Sequence, residues 1–267
     1  MDETTPTVDF VAAGAGPRVV LVHSSSAGAR QWRRLMAELE DRFHLIAPNL
    51  FGYGATPAWS SRISQRLDDQ AALVEACLPA EAGGLSLVGH SFGAAVAMKA
   101  AARLGPRVEK LILLEPNPFY LLRRHGRSEA FIEIAALRDR VVNCAETDDW
   151  APAAEVFADY WNGPGTWDAM APERRETFTA ALRPNLHEWD AVMNERTYLE
   201  DWALLLPART LVVTAEGTKR PIREIVELLE EASPAWRFVR VPEGGHMAPV
   251  TRPDLINPLI TEFLEES

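Results

Sequence analysis

The chain has 267 residues, of which 47% are hydrophobic and 24% are charged, so it is globular and long enough to bury a sizeable core. Its net charge of -11 argues against a binding surface for nucleic acid or anionic membrane, because both require basic patches. The two cysteines, Cys77 and Cys144, lie far apart and predict neither a disulfide framework nor a metal site. Composition leaves the oligomeric state open.

The N-terminal stretch from Met1 to Pro6 has neither the basic nor the apolar region of a signal peptide. No apolar run in the sequence reaches the length that a membrane-spanning helix needs. We therefore expect a cytoplasmic protein.

The first third of the chain alternates short strands with helices. Residues 7–12 alternate like a half-buried strand, and Gly14 and Gly16 indicate a turn into a second strand at 18–23. The next predicted elements are a helix at 30–41, a strand at 43–48 and a helix at 65–78. The two glycines of the turn lack the third glycine of a dinucleotide fingerprint, so no phosphate site is predicted.

A serine between two glycines then follows an apolar, strand-like run. The segment Gly89-His90-Ser91-Phe92-Gly93 fits the G-x-S-x-G pattern, in which a strained turn between strand and helix exposes the serine hydroxyl. Bulkier residues at either glycine position would clash with the neighbouring backbone. Because Ser91 lies at a helix N-terminus, the backbone N–H of Phe92 can face a developing oxyanion.

Over nearly its whole length the chain resembles the α/β-hydrolase family. The nucleophile motif around Ser91 carries this resemblance, together with the loop from Asn49 to Pro57, which keeps both glycines of the family's Asp-x-x-Gly-x-Gly-x-Ser pattern. In that pattern Asn49 replaces the aspartate and Thr56 replaces the serine. The resemblance implies an α/β fold, with a mostly parallel sheet flanked by helices and an inserted helical cap. It also implies a serine hydrolase without metal or organic cofactor.

The loop that begins at His23 corresponds to the family's oxyanion-hole loop. In the resemblance, His23 stands at the family's histidine, Ser24 replaces its glycine, and the backbone N–H of Ser25 becomes the second oxyanion donor. Ser24 and His90 are expected to face the substrate, although His90 can alternatively belong to the packing of the nucleophile turn. The alternative is a polar turn between strand and helix with no catalytic part.

Two carboxylates are candidates for the triad acid. Glu115 ends the apolar strand predicted at 108–114, and the active crevice of such sheets lies outside the carboxyl ends of the strands. Some members of the family supply the acid from that position, whereas the more usual aspartate position is occupied here by Thr218. Glu216, in the same loop as Thr218, is the alternative. Both glutamates lie between Ser91 and the proposed base, so chain order leaves both open, and we favour Glu115.

A stretch of different character separates the strand at 108–114 from the next strand, at 209–214. It shows no strand alternation and contains five tryptophans (Trp150, Trp161, Trp167, Trp189 and Trp202), which belong either to a substrate cleft or to a helical core. We predict a helical cap at 119–203 and a hydrolase core formed by 1–118 and 204–267. A helix from Pro221, a strand at 236–241 and a closing helix at 254–264 complete the core.

His246 lies on a glycine-flanked loop after the last predicted strand and resembles the family's catalytic base. A serine hydroxyl is a poor nucleophile near neutral pH, so it needs a base, and the base needs a carboxylate to orient it. The sequence thus predicts a Ser91-His246-Glu115 triad that cleaves a small ester, lactone or related carbonyl compound, with this small-molecule substrate as the only expected partner.

Two alternative functions remain open on sequence alone. A carbon–carbon bond hydrolase and a cofactor-free haloperoxidase or perhydrolase would use the same triad. A non-catalytic receptor for a small ligand would keep the fold without turnover, since fold alone does not imply function.

Overall fold

The computed structural model describes residues 7–79 and 83–266. The predicted start of the core at residue 1, the N-terminal stretch 1–6 and the final residue 267 lie outside the described residues. Seven strands form one sheet in the order β1-β3-β2-β4-β5-β6-β7, in which β1 is antiparallel to β3 and every other pair is parallel. The strands are β1 (Phe10–Ala13), β2 (Arg18–Val22), β3 (His44–Pro48), β4 (Leu85–His90), β5 (Val108–Leu114), β6 (Thr210–Ala215) and β7 (Arg237–Val241).

Helices cover the sheet, which confirms the predicted fold class. They are α1 (Arg33–Leu39), α2 (Leu67–Ala76), α3 (Phe92–Leu104), α4 (Tyr120–Arg124), α5 (Ser128–Glu146), α6 (Ala151–Asn162), α7 (Pro172–Leu182), α8 (Asn185–Met193), α9 (Leu199–Leu205), α10 (Arg220–Ala232), α11 (Ala248–Thr251) and α12 (Pro253–Glu265). None of the helices in the described parts of the chain is both long and apolar enough to cross a membrane.

Alternate residues of the buried strands face opposite sides of the sheet and build two apolar layers. Val20 and Val22 of β2 pack with the small-residue helix α3, while Val19 and Leu21 pack with α1 and α12 on the other side. Helix α3 ends at Leu104, and Gly105 follows as its C-cap. The predicted helix at 30–41 differs, because its first turn at Ala29–Trp32 is a 3₁₀ helix. The first strand also begins later than predicted, at Phe10.

The chain between β5 and β6 forms the helices α4 to α9. Helix α6 packs on both α5 and α7, and α8 packs on both α3 and α5. Helix α9 packs on α3 and α10 and ends at Leu205, past the predicted boundary at residue 203. We propose residues 119–205, called here the helical insertion, as the cap.

Candidate active site

Ser91 occupies a strained turn between β4 and α3. Its backbone φ is 55°, a left-handed conformation that residues with a side chain seldom adopt. A Cβ atom on Gly89 would lie 2.3 Å from the carbonyl oxygen of Gly93, and one on Gly93 would lie 2.2 Å from that of Val22. Only glycine fits at both places, which confirms the clash expected from sequence.

Ser91, His246 and Glu115 form a continuous hydrogen-bonded chain. The distance from Ser91 Oγ to His246 Nε2 is 2.8 Å, and the distance from His246 Nδ1 to Glu115 Oε2 is 3.2 Å. All three side chains are buried. Because an ionised carboxylate can only accept, Nδ1 of His246 carries the proton, and Nε2 is left to accept the serine proton.

The carboxylate of Glu115 is fixed from the neighbouring strand. Its Oε1 atom accepts the backbone N–H of Ala215 at 2.7 Å, and its Oε2 atom accepts the hydroxyl of Thr218. Glu115 itself has a φ of 51°, which turns the chain at the end of β5. Glu216 is exposed, and the structure places no hydrogen bond between its side chain and His246. The geometry therefore brings Glu115, and not Glu216, to the histidine.

The sequence predicts that the oxyanion hole is formed by two backbone N–H groups, those of Ser25 and Phe92. Ser25 and Phe92 both line the cavity above Ser91. Within the described parts of the chain, neither N–H donates a hydrogen bond to a protein atom. Phe92 is also the first residue of α3, so the helix dipole favours negative charge beside it. The pair is suited to an oxyanion of the substrate.

His90 does not face the cavity, whereas the sequence predicted that it would face the substrate. It is fully buried and absent from the cavity wall, with Nδ1 accepting from Gln31 Nε2 at 3.1 Å and Nε2 donating to the carbonyl of His246 at 3.0 Å. Burial lowers the pKa of His90 to about 3, so its ring is neutral. Ser24 does line the cavity, and both its N–H and its hydroxyl donate to Gln31 Oε1. His90 thus connects the loop that carries His246 to the loop that carries Ser24, through Gln31.

A narrow cavity with a volume of about 30 Å³ opens onto Ser91 and His246. Its apolar wall consists of Phe119, Phe157, Trp161, Trp189, Val192 and Met247. The ring of Trp161 lies over His246, with the two centroids 4.0 Å apart. Some of the tryptophans therefore do line the cleft, a possibility that the sequence analysis left open.

Sequence reasoning missed the polar side of this cavity. Glu188 of α8 is buried, and its carboxylate accepts from the hydroxyls of Ser25 and Tyr53 and from the amide of Asn185. Burial raises the pKa of the Glu188 carboxyl, and these hydrogen bonds oppose the shift. The available signal was helical spacing, because Asn185 and Glu188 lie on the same face of α8 as Trp189.

Asn117 was also missed. It follows Glu115 by two residues at the carboxyl end of β5 and lines the cavity, with Nδ2 3.5 Å from Ser91 Oγ. The signal in the sequence was its place in Glu115-Pro116-Asn117-Pro118, because a polar side chain at the end of a buried parallel strand points to the active crevice.

Comparison with known proteins agrees with the fold. The sequence profile of the alpha/beta hydrolase family matches residues 19–259. Lipase LipV of Mycobacterium tuberculosis is 36% identical over 233 residues, which cover 83% of this chain and 77% of the lipase. A solved hydrolase from Pseudomonas aeruginosa has a TM-score of 0.74 at 20% identity, covering 99% of this chain and 100% of its own. The enol-lactonase from Burkholderia xenovorans has a TM-score of 0.73 at 16% identity and 98% coverage of both chains. The two structures share the fold.

Proposed function

Because the chain belongs to the alpha/beta hydrolase family and is an enzyme of that family, we propose that it is a serine hydrolase acting on a small ester, lactone or related carbonyl compound. The observation that carries this proposal is the hydrogen-bonded chain from Ser91 through His246 to Glu115 at the base of a cavity. An activated serine beside unoccupied backbone N–H donors is the arrangement that acyl transfer requires.

In the proposed first step, Ser91 Oγ attacks the substrate carbonyl while Nε2 of His246 takes its proton. The carbonyl oxygen becomes an oxyanion between the N–H groups of Ser25 and Phe92. When the tetrahedral intermediate collapses, His246 gives the proton to the leaving oxygen, and the acyl group remains on Ser91. Glu115 stays ionised and stabilises the imidazolium.

In the second step a water molecule attacks the acyl-enzyme. His246 removes a proton from the water, and the same two N–H groups hold the new oxyanion. Collapse returns the proton to Ser91 and releases the carboxylic acid. The small volume and the aromatic wall of the cavity support a small substrate with an apolar body.

A serine-reactive fluorophosphonate tests this proposal without a guess at the substrate. Intact mass measured after treatment is expected to show one adduct on the native chain and none on Ser91→Ala. On His246→Ala the labelling rate should fall by at least about a hundredfold, because the base is gone.

The contrary result is a native protein that is folded by circular dichroism and gains no adduct. That outcome would favour a ligand receptor with this fold. If the adduct forms, a panel of esters, lactones and diketones measures which carbonyl compounds turn over, and turnover of the diketones alone would favour carbon–carbon cleavage.

A further inference from the structure

The loop that carries Ser25, the second proposed oxyanion donor, contains a strained turn. Ser26, the next residue, has a φ of 63°, a left-handed conformation that residues with a side chain seldom adopt. Such a conformation persists only where surrounding contacts hold it, and it is most frequent at functional sites. The contacts on this turn therefore bear on the position of the N–H of Ser25.

The peptide group between Ser24 and Ser25 is fixed from its carbonyl side. The carbonyl oxygen of Ser24 accepts from Nδ1 of His23 at 2.8 Å and from the N–H of Ala27 at 3.3 Å. The N–H of Ser25 belongs to the same planar trans peptide group, so it points in the opposite direction. Contacts within the loop thus set the direction of this N–H, but they leave the hydroxyl of Ser25 and the N–H of Ser26 to be held from outside.

One buried carboxylate of the helical insertion holds both of these groups. Oε2 of Glu188 accepts the hydroxyl of Ser25 at 2.5 Å, and Oε1 accepts the hydroxyl of Tyr53 at 2.8 Å. The hydroxyl oxygen of Tyr53 in turn accepts the N–H of Ser26 at 2.8 Å. Glu188 is thus connected to Ser25 directly and to Ser26 through Tyr53.

The donors around Glu188 suit a carboxylate and no other side chain of its size. Three donors converge on its two oxygens, namely the hydroxyls of Ser25 and Tyr53 and the amide of Asn185, whose Nδ2 lies 2.9 Å from Oε2. A glutamine has one oxygen, so its NH₂ group would face at least one of these donors. Because Glu188 is 2% exposed, its charge depends on the same hydrogen bonds for stabilisation.

On the basis of the proposed serine hydrolase function, we propose that Glu188 is a positioning residue that holds the loop at residues 23–27 in its productive geometry. It acts through Ser25 and through Tyr53, so the placement of the second oxyanion donor depends on helix α8 of the insertion. A displaced donor weakens the transition state more than the bound substrate, because the negative charge on the oxygen develops only in the transition state.

Saturation kinetics with a fluorophosphonate test this role without a known substrate. The phosphonyl oxygen occupies the place of the oxyanion, so the maximal labelling rate, kinact, reports on the donors. The half-saturating concentration, KI, reports on binding in the cavity. The variants are Glu188→Gln and Tyr53→Phe, of which the second keeps the carboxylate of Glu188 and removes the hydroxyl that accepts from Ser26.

We expect kinact to fall at least about tenfold in each variant, with KI changed by less than about threefold, because the donor is displaced and the cavity keeps its shape. The double variant should lose less than the product of the two single losses, because both act through one loop. If Glu188→Gln does not fold, the result for Tyr53→Phe decides by itself.

Three results would overturn the proposal. The first is an unchanged kinact in both variants. The second is a change confined to KI, because Glu188 would then act by contact with the ligand. The third is a rise of kinact in Glu188→Gln, since relief of charge repulsion on the oxyanion would then outweigh positioning.

Glu195→Gln is the matched control, because Glu195 is another carboxylate of the insertion with a side chain that is only 7% exposed. It accepts the backbone N–H groups of Arg196 and Thr197 and pairs with Lys99. This variant should lower the free energy of unfolding measured with urea and leave kinact within about twofold of the native value. A loss of kinact as large as that in Glu188→Gln would overturn the proposal, since lost stability alone would explain both.

The native protein separates this proposal from the proposed function. Absence of an adduct on the folded native chain removes the serine hydrolase, and the role of Glu188 with it. An adduct on the native chain, together with an unchanged kinact in Glu188→Gln and Tyr53→Phe, leaves the hydrolase in place and removes only the positioning role.

Discussion

At the scale of single residues, the carboxylate that contacts His246 comes from the strand next to the more usual one. Thr218 stands where the resembling family usually has its aspartate, and its hydroxyl donates to the carboxylate of Glu115. A glutamate has one more methylene than an aspartate, which gives Glu115 the reach to approach His246 from the end of β5. The threonine then serves as a donor that holds the displaced carboxylate.

Replacement of Glu115 by glutamine should lower kcat by about 10²- to 10⁴-fold with little change in KM, because an amide can stabilise the wrong histidine tautomer and cannot balance the imidazolium. Steady-state kinetics with an ester that the native enzyme hydrolyses measure both kcat and KM.

The matched control for that variant is Glu216→Gln, which removes an exposed carboxylate from the neighbouring loop. It should change kcat by no more than about twofold. A large loss of turnover confined to Glu216→Gln would reverse the assignment of the acid.

At the scale of elements, the turn from β4 into α3 places Ser91 at the cavity wall. The Cβ position of Gly89 is filled by the carbonyl group of Gly93 in α3, and the Cβ position of Gly93 is filled by the carbonyl group of Val22 in β2. Helix α8 makes the opposite wall of the cavity, with Asn185, Glu188 and Trp189 on one face. Two helices from distant parts of the chain therefore define the space in which the substrate would lie.

Gly93→Ala should destabilise the protein by about 3 kcal/mol, because the new methyl group must displace the backbone of β2 at Val22. Urea unfolding followed by circular dichroism measures the free energy of unfolding. Gly83→Ala is the control, since a Cβ there meets no atom of the described residues within 4 Å. The free energy of unfolding of this variant should change by less than about 1 kcal/mol. Equal losses in both variants would contradict the close approach at Gly93.

At the scale of the whole molecule, buried neutral histidines connect the loops at the carboxyl edge of the sheet. His23 accepts the N–H of Leu50 on Nε2 and donates from Nδ1 to the carbonyl of Ser24. Burial lowers the pKa of His23 to about 4 and that of His90 to about 3. Both rings are therefore neutral in the folded protein near pH 7, and protonating either one would disrupt the loops that carry the site.

Acid should therefore destabilise the protein before its carboxylates are protonated. In the unfolded chain a histidine binds a proton near about pH 6.5. Between about pH 6.5 and 4 the unfolded state therefore holds more protons than the folded state, and the free energy of unfolding decreases as the pH is lowered. Each of the two histidines should lower the free energy of unfolding by about 2 kcal/mol between pH 7.5 and 5. Urea unfolding at several pH values measures how the free energy of unfolding depends on pH.

Two histidine variants test the source of this pH dependence. His90→Gln should flatten the dependence of the unfolding free energy on pH, whereas His125→Gln, at an exposed position, should leave it unchanged. Identical slopes in the native protein and in His90→Gln would contradict the role given to His90.

The sequence by itself determined the sheet and the turn around Ser91, and it predicted Ser91 and His246 as nucleophile and base, because these depend on local patterns. Apolar strands, a serine between two glycines and a histidine after the last strand are each contiguous in the chain. It also favoured Glu115 over Glu216, although chain order left both open.

Only the tertiary structure decided which distant side chains share the cavity. Asn185 and Glu188 lie about a hundred residues from Ser91. Their helical spacing puts them on one face with Trp189, but that local pattern does not indicate which part of the fold the face covers. For the same reason His90, adjacent to Ser91 in sequence, was expected to face the substrate, whereas strand alternation turns its side chain into the protein. Local pattern fixes backbone conformation, but long-range packing fixes where side chains meet.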